Sequence, residues 1–438
     1  MTHPMEVVID GSKKTVTLGD VERDAKLAQV DGMRSVINKN RIDAIERQIS
    51  VMQSLENVYV KRMGREAYER QLLHLVNQLP GMLSTGADDK AKYTDEVVEH
   101  GYDGVDGDEG PWTEFLDRDD LPRQLRESDG VIIEEGYWIN RRGMALMTST
   151  MTPETNDDDD DDGGGNDGSG IRAVVCLCHG YMDNVSFLKR VQFQRFVRRN
   201  IAVCMIEYEG HGRSDGINAL VPRWENLVED AHDYFRHVTG EKFPNVRRVF
   251  LMGESMGGAV AYDIMSRHRD SYDGAIFAAP MVKILVTPPP FVVALFERIV
   301  GHPGTLNALS HLPWAPSRGD MPHLSFKDKD KMRLALMVPT KYGRKPRFAT
   351  ARELLNATRR ISSTIHEFDA PFIVLHGLED MVTDPRMSEM LYNESRSSDK
   401  TIKLYRGMYH NLTTGETDEN IDIVFNDAIS WVTDRSKR

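Results

Sequence analysis

From Ala173 onward, short, mostly apolar runs alternate with longer stretches in which apolar and polar residues recur at helical spacing. The runs Ala173–Cys178, Ile201–Glu207, Arg248–Met252, Gly274–Ala278, Pro371–Leu375 and Thr401–Tyr405 predict strands. Between and after them, Phe187–Arg198, Trp224–Val238, Met256–His268, Pro385–Ser395 and Asn420–Val432 predict helices. Strands apolar on both faces must be covered on both, which dictates a mostly parallel sheet between two layers of helix, an α/β fold. Ahead of it, Val131–Ile139, the turn Asn140–Gly143 and Met144–Met151 predict an antiparallel hairpin, so the sheet is mixed.

One crossover breaks the rhythm. Between Ala279 and Asp369 lie about 90 residues, where a strand–helix connection normally needs about 2–6. This segment is an inserted subdomain, and Phe291, Leu295 and Ile299 beside Val292, Phe296 and Val300 give it a wide apolar stripe at helical spacing. The chain divides into a helical arm (1–85), an acidic and mostly irregular linker (86–129) and a first core segment (130–282). The inserted lid (283–368) and a second core segment (369–438) follow. In the arm, Val21–Leu79 reads as helix, with Ile42, Ile45, Ile49, Met52, Tyr59 and Met63 on one seam interrupted by Glu56. A helical pair packed on itself or on the body is expected there, with self-association through these helices as the alternative.

Charge is unevenly spread. Gly86–Asp120 carries 13 acids and 3 bases, and Pro153–Gly170, an Asp/Gly-rich insertion (153–170) in the first core segment, carries 8 acids and no base. Without these two runs the net charge of −13 becomes +5, a mildly basic body with no basic patch, so no nucleic-acid partner is expected. The longest apolar candidate, Val282–Val300, is broken by Lys283, Pro288, Pro289, Pro290, Glu297 and Arg298, which excludes a membrane-spanning helix there. The first residues, MTHPMEVVIDGSKK, lack a basic segment followed by an apolar one, and three cysteines cannot build a disulfide framework. A reducing, cytoplasmic location is expected.

The chemistry-bearing pattern is Gly253-Glu254-Ser255-Met256-Gly257, G-x-S-x-G, standing between a buried-type strand and a helix. A strand–turn–helix of this kind needs glycines where side chains would clash. It also puts Ser255 at a helix N-terminus, where the Met256 N–H can face a developing oxyanion. A serine hydroxyl needs a base and an acid that orients it, each just past a later strand and in the order Ser, acid, His. After the run ending at Leu375 comes His376-Gly377-Leu378-Glu379-Asp380, and after that ending at Tyr405 comes Gly407-Met408-Tyr409-His410. Asp380 is the favoured acid, with Glu379 and Asp384 as rivals. His410 is the favoured base, with His376 as rival. The second oxyanion donor is expected from His179-Gly180-Tyr181-Met182-Asp183, where Gly180 lets the Tyr181 N–H turn inward and His179 anchors the loop. Glu209–Gly216 reads as a structured turn.

With these residues in place, the chain resembles the monoglyceride lipase and lysophospholipase branch of the α/β-hydrolase superfamily, including the plant-type caffeoylshikimate esterases. The resemblance runs from about Glu135 to Ser436. It rests on HGYMDN (His179–Asn184), EGHGRSDG (Glu209–Gly216), GESMGGA (Gly253–Ala259), AAPM (Ala278–Met281), KPRFATARELL (Lys345–Leu355), HGLEDMVTDP (His376–Pro385) and GMYHNL (Gly407–Leu412). It implies the α/β-hydrolase fold, a catalytic triad of Ser255, Asp380 and His410, an oxyanion hole from the Tyr181 and Met256 amides, and Lys283–Phe368 as lid. Tyr181, Phe291, Leu295, Phe296 and Ile299 would line the substrate pocket. The implied activity is monoacylglycerol hydrolysis, with lysophospholipids or phenolic esters as alternatives, and a catalytically silent interaction scaffold as the reading from another class. The lid stripe adds peripheral contact with a membrane or lipid-droplet surface. Neither cofactor nor metal is expected, because Gly163–Gly168 matches a dinucleotide-binding pattern only beside six aspartates, where a pyrophosphate would be repelled.

Overall fold

The computed structural model describes residues 5–9, 12–16, 123–127, 130–154, 170–185, 187–283, 298, 315, 321–336 and 345–437. The Val21–Leu79 seam and the lid residues Phe291, Leu295, Phe296 and Ile299 lie outside the described residues. Within the arm, β1 (Met5–Ile9) and β2 (Ser12–Val16) pair antiparallel as a hairpin, so the arm is not helical throughout.

Among the described residues, the α/β pattern materialises as one nine-stranded sheet. Its strands are β3 (Arg123–Glu127), β4 (Val131–Ile139), β5 (Ala145–Pro153), β6 (Ala173–Cys178), β7 (Ile201–Ile206), β8 (Val249–Glu254), β9 (Gly274–Ala278), β10 (Phe372–Gly377) and β11 (Lys400–Tyr405). The spatial order is β11-β10-β9-β8-β6-β7-β5-β4-β3. The six from β11 to β7 run parallel, and β5, β4 and β3 continue antiparallel. The sequence RQLRE of β3 carries no apolar alternation, and the acidic linker was expected to be irregular there. It is a strand because the β4 edge offers backbone partners from Glu135 to Val131.

Helices follow the strands: α1 (Phe187–Val197), α2 (Trp224–Lys242), α3 (Met256–Arg267), α4 (Met321–Ser325), α5 (Lys329–Leu336), α6 (Phe348–Thr364), α7 (Pro385–Glu394) and α8 (Asp418–Ser436). Successive strand side chains point to opposite faces, and the core divides accordingly. Val174, Cys176 and Cys178 of β6 join Leu251 and Phe277 in a cluster with α2, α3 and α6. Ala173, Val175 and Leu177 join Phe250 and Met252 in a cluster with α1 and α8. In the second layer Phe193 and Phe196 of α1 meet the Phe425 ring edge-on at 5.2 and 5.5 Å. Each such ring, fully buried, stabilises the layer by roughly 1.5–3 kcal/mol. Four loops that build the candidate site leave the same carboxyl ends of the parallel strands: after β6, β8, β10 and β11.

Candidate active site

The elbow begins where β8 ends. Ser255 has φ 54° and ψ −116°, in the positive-φ region that non-glycine residues rarely enter. Two glycines permit the turn by close approach. A Cβ at Gly253 would lie 2.4 Å from the Gly257 carbonyl oxygen, and one at Gly257 would lie 1.9 Å from the Cys178 carbonyl oxygen. The start of α3 therefore sits directly on the end of β6, beside the His179–Asp183 loop. The strained residue is held by its backbone: Ser255 N–H donates to Ala278 O at 3.0 Å, and its carbonyl accepts from Met281 N–H at 2.9 Å.

The loop after β6 arches over this elbow. A Cβ at Gly180 would stand 3.5 Å from both Ser255 Cβ and the Glu254 carbonyl oxygen. His179 anchors the loop, as the sequence suggests. Its Nδ1 lies 2.8 Å from Gly180 O, and its Nε2 accepts from the Tyr208 N–H at 3.2 Å, so Nδ1 carries the proton. Burial, reinforced by the neighbouring His211, pushes its pKa down to about 3 and keeps the ring neutral. The Tyr181 hydroxyl donates to Ala219 O at 2.9 Å and the ring stands edge-on to His211, which fixes the residue whose amide was singled out.

Asp380 is the most heavily bonded group at the rim. Its Oδ1 accepts from the N–H groups of Val382 (2.7 Å) and Thr383 (3.0 Å). Its Oδ2 accepts from His410 Nδ1 (2.7 Å), His376 Nε2 (3.0 Å) and Thr383 Oγ1 (2.8 Å). Burial alone would raise this carboxyl, but His410 beside it and the donors around it hold it well below the usual carboxylate range. The rival acids are engaged elsewhere. Asp384 caps α7 by accepting from the Arg386 N–H, and Glu379 accepts from the Gly407 N–H. The rival base His376 is fully buried between Asp380 and Ser388, whose Oγ lies 2.6 Å from its Nδ1.

Thr383 stands between the strand end beside the Ser255 elbow and the His410 ring. Thr383 Oγ1 contacts Ala279 O at 3.1 Å, next to the residue that holds the Ser255 amide, and lies 3.2 Å from His410 Nδ1. Among the described residues, no hydrogen bond joins Ser255 Oγ to His410 Nε2, whose ring is held from its other nitrogen by Asp380. Thr383 gives no signal in the sequence, because a threonine inside Met381-Val382-Thr383-Asp384 carries no catalytic pattern.

The turn Glu209–Gly216 is structured, with Gly210 N–H donating to Asp215 O and Ser214 Oγ to Glu207 O. Arg213 from this turn reaches the buried Glu135 of β4 at 3.1 Å. The inserted segment also touches the site. Asn411 N–H donates to Ser325 O at 3.0 Å, and the N–H groups of Lys327 and Asp328 both donate to Gly415 O at 2.9 Å. The loop carrying His410 is thus braced by residues of α4 and its exit.

The family model described as serine aminopeptidase, S33, matches residues 169–418, more than half of the chain and all the loops just described. The chain belongs to this family. Caffeoylshikimate esterase of Arabidopsis thaliana is 33% identical to this S33 hydrolase over 269 residues, covering 61% of this chain and 80% of that protein. Human monoglyceride lipase is 29% identical over 234 residues, covering 52% and 72%. Among solved structures, a soluble variant of monoglyceride lipase from Saccharomyces cerevisiae in complex with a substrate analog superposes with TM-score 0.54 at 20% identity, covering 68% of this chain and 94% of that one, a likeness of fold. The S33 hydrolase is an ester hydrolase on the α/β-hydrolase fold. No helix among its described residues is long and apolar enough to cross a membrane.

Proposed function

We propose that this S33 hydrolase cleaves single-chain carboxylic esters, monoacylglycerols foremost, through an acyl-enzyme on Ser255. The observation that carries this reading is the Asp380–His410 pair, 2.7 Å apart, at the sheet rim that also presents the Ser255 elbow. Ser255 Oγ attacks the acyl carbon while His410 Nε2 takes its proton. The oxyanion is met by the amides of Tyr181 and Met256. His410 then returns the proton to the departing glycerol oxygen. A water attacks the acyl-enzyme, gives its proton to the same nitrogen, and fatty acid leaves as Ser255 recovers its hydrogen. Asp380 fixes the imidazole with Nδ1–H toward itself, leaving Nε2 as the basic atom.

The lid stripe formed by Phe291, Leu295, Ile299, Val292, Phe296 and Val300 in the sequence supports an acyl chain as the group accepted, and contact with a lipid surface as the route of entry. A second reading has its own support, since 33% identity to caffeoylshikimate esterase favours a phenolic ester. The test is turnover of 1-monooleoylglycerol and of a caffeoyl ester, separately and in competition, alongside fluorophosphonate labelling of wild type and Ser255→Ala. Labelling lost in Ser255→Ala with monooleoylglycerol preferred is the expected result. Preference for the caffeoyl ester moves the assignment to the second reading. Equal labelling of both proteins overturns the nucleophile.

A further inference from the structure

Lys189, the third residue of α1, is only 2% exposed. A buried ammonium is costly unless paired. Its Nζ lies 2.9 Å from Asp183 Oδ2 and is hydrogen-bonded to Glu254 Oε2. The other oxygen of Glu254 accepts from Thr413 Oγ1. Burial alone would lower the lysine pKa, but the two carboxylates more than reverse this, so the ammonium stays charged. Asp183 and Glu254 hold Lys189 directly and Thr413 joins through Glu254; Asp183 lies in the loop after β6, Glu254 ends β8 and Thr413 lies in the loop after β11. Asp183 is two residues past Tyr181, Glu254 directly precedes Ser255, and Thr413 is three residues past His410.

We propose that Lys189 is a positioning residue for ester hydrolysis. Through Asp183 it sets the loop bearing the Tyr181 amide, and through Glu254 and Thr413 it ties the Ser255 elbow to the His410 loop. This rests on the triad reading above. Removing one partner of a buried ion pair is destabilising whatever its role, so a purely structural Lys189 would show as lost stability with kcat per folded molecule unchanged. In a positioning role, loss of Lys189 lets the Asp183 side chain, 35% exposed, turn toward water and shifts the loop over the elbow, which lowers kcat itself. Misplacement of such a loop by about 1 Å is enough to cost about 100-fold in rate.

The experiment measures kcat and KM on p-nitrophenyl butyrate, together with the rate and end point of fluorophosphonate labelling. Lys189→Met is expected to lower kcat and the labelling rate about 10- to 100-fold, with KM within about threefold and labelling still complete at its end point. Lys189→Arg recovers most of the loss. Asp183→Asn, milder for folding, lowers kcat about five- to tenfold, and the Lys189→Met/Asp183→Asn double variant is no slower than Lys189→Met alone. The proposal is overturned if Asp183→Asn, or a Lys189→Met that labels to completion, keeps kcat within about threefold of wild type. It is equally overturned if the double variant shows simple multiplication of the two losses. Should Lys189→Met fail to fold, Asp183→Asn and Glu254→Gln decide. Undiminished labelling of Ser255→Ala would sink the triad reading instead, so the two failures are distinct.

Discussion

His410 Nδ1 lies 2.7 Å from Asp380 Oδ2, an oxygen that also takes hydrogen bonds from His376 Nε2 and Thr383 Oγ1. With both backbone donors on Oδ1, this carboxylate is held ionised and directionally locked. Asp380→Asn presents an amide where an acceptor was, which turns the imidazole toward the wrong tautomer. A fall in kcat of about 10⁴-fold is expected, read from steady-state turnover of a soluble ester. The same depressed carboxyl contributes stability that is fully present above its unfolded value of 3.8 and drains away as pH falls below it. The stability difference between wild type and Asp380→Asn should therefore shrink on acidification from pH 5 to pH 3, in urea melts.

The two histidines on Asp380 should part company in kinetics. His410→Gln removes the atom that would move protons, and a loss on the order of 10³-fold or more is expected. His376→Gln removes one of five donors to the acid, and about a tenfold loss in kcat is expected. Comparable losses in the two variants would reopen His376 as the base.

The buried His179 gives a distinct acid signature. Its folded pKa of about 3 lies below the ordinary histidine value of 6.5, so between these limits the unfolded chain binds more protons than the folded one. Stability from this group is complete above pH 6.5 and is lost as pH falls toward 3, by up to about 1.4 kcal/mol per unit. His232, lowered to about 4 by burial and the stacked His268, adds a slope of the same sign. Replacing His179 by Gln should flatten the fall in stability between pH 6 and pH 4. An unchanged slope would contradict a neutral, buried imidazole.

Glycine substitutions separate necessity from composition. At Gly257 the new methyl would meet the Cys178 carbonyl at 1.9 Å, and backbone cannot yield, so Gly257→Ala should destabilise by several kcal/mol or fail to fold. At Gly240, within α2, nothing lies within 4 Å of the same methyl. Gly240→Ala should raise stability by about 0.5–1 kcal/mol in denaturant unfolding, with activity unchanged.

The parallel strands and the slots after β8, β10 and β11 were legible because each is a mostly apolar run, β11 with its two lysines the weakest, followed by a short polar motif. What stayed hidden depends on long-range pairing. Lys189 and Glu254 are 65 residues apart, and a lysine in a helix looks like a solvated side chain until the fold encloses it. RQLRE of β3 offers no alternation, and only the free edge of β4 makes it a strand. The choice between Asp380, Glu379 and Asp384 was open in sequence for a related reason. All three follow β10 within seven residues, and the turn around Thr383 decides which one points at His410.

The bracing of Gly415 O by Lys327 and Asp328, and of Asn411 N–H by Ser325, has a consequence for engineering. Exchanging the whole insert between relatives to redirect which ester is accepted would also remove the props under the imidazole. A graft that retargets this hydrolase must therefore keep residues 321–336 as host sequence and restrict the transplant to the stretch before them.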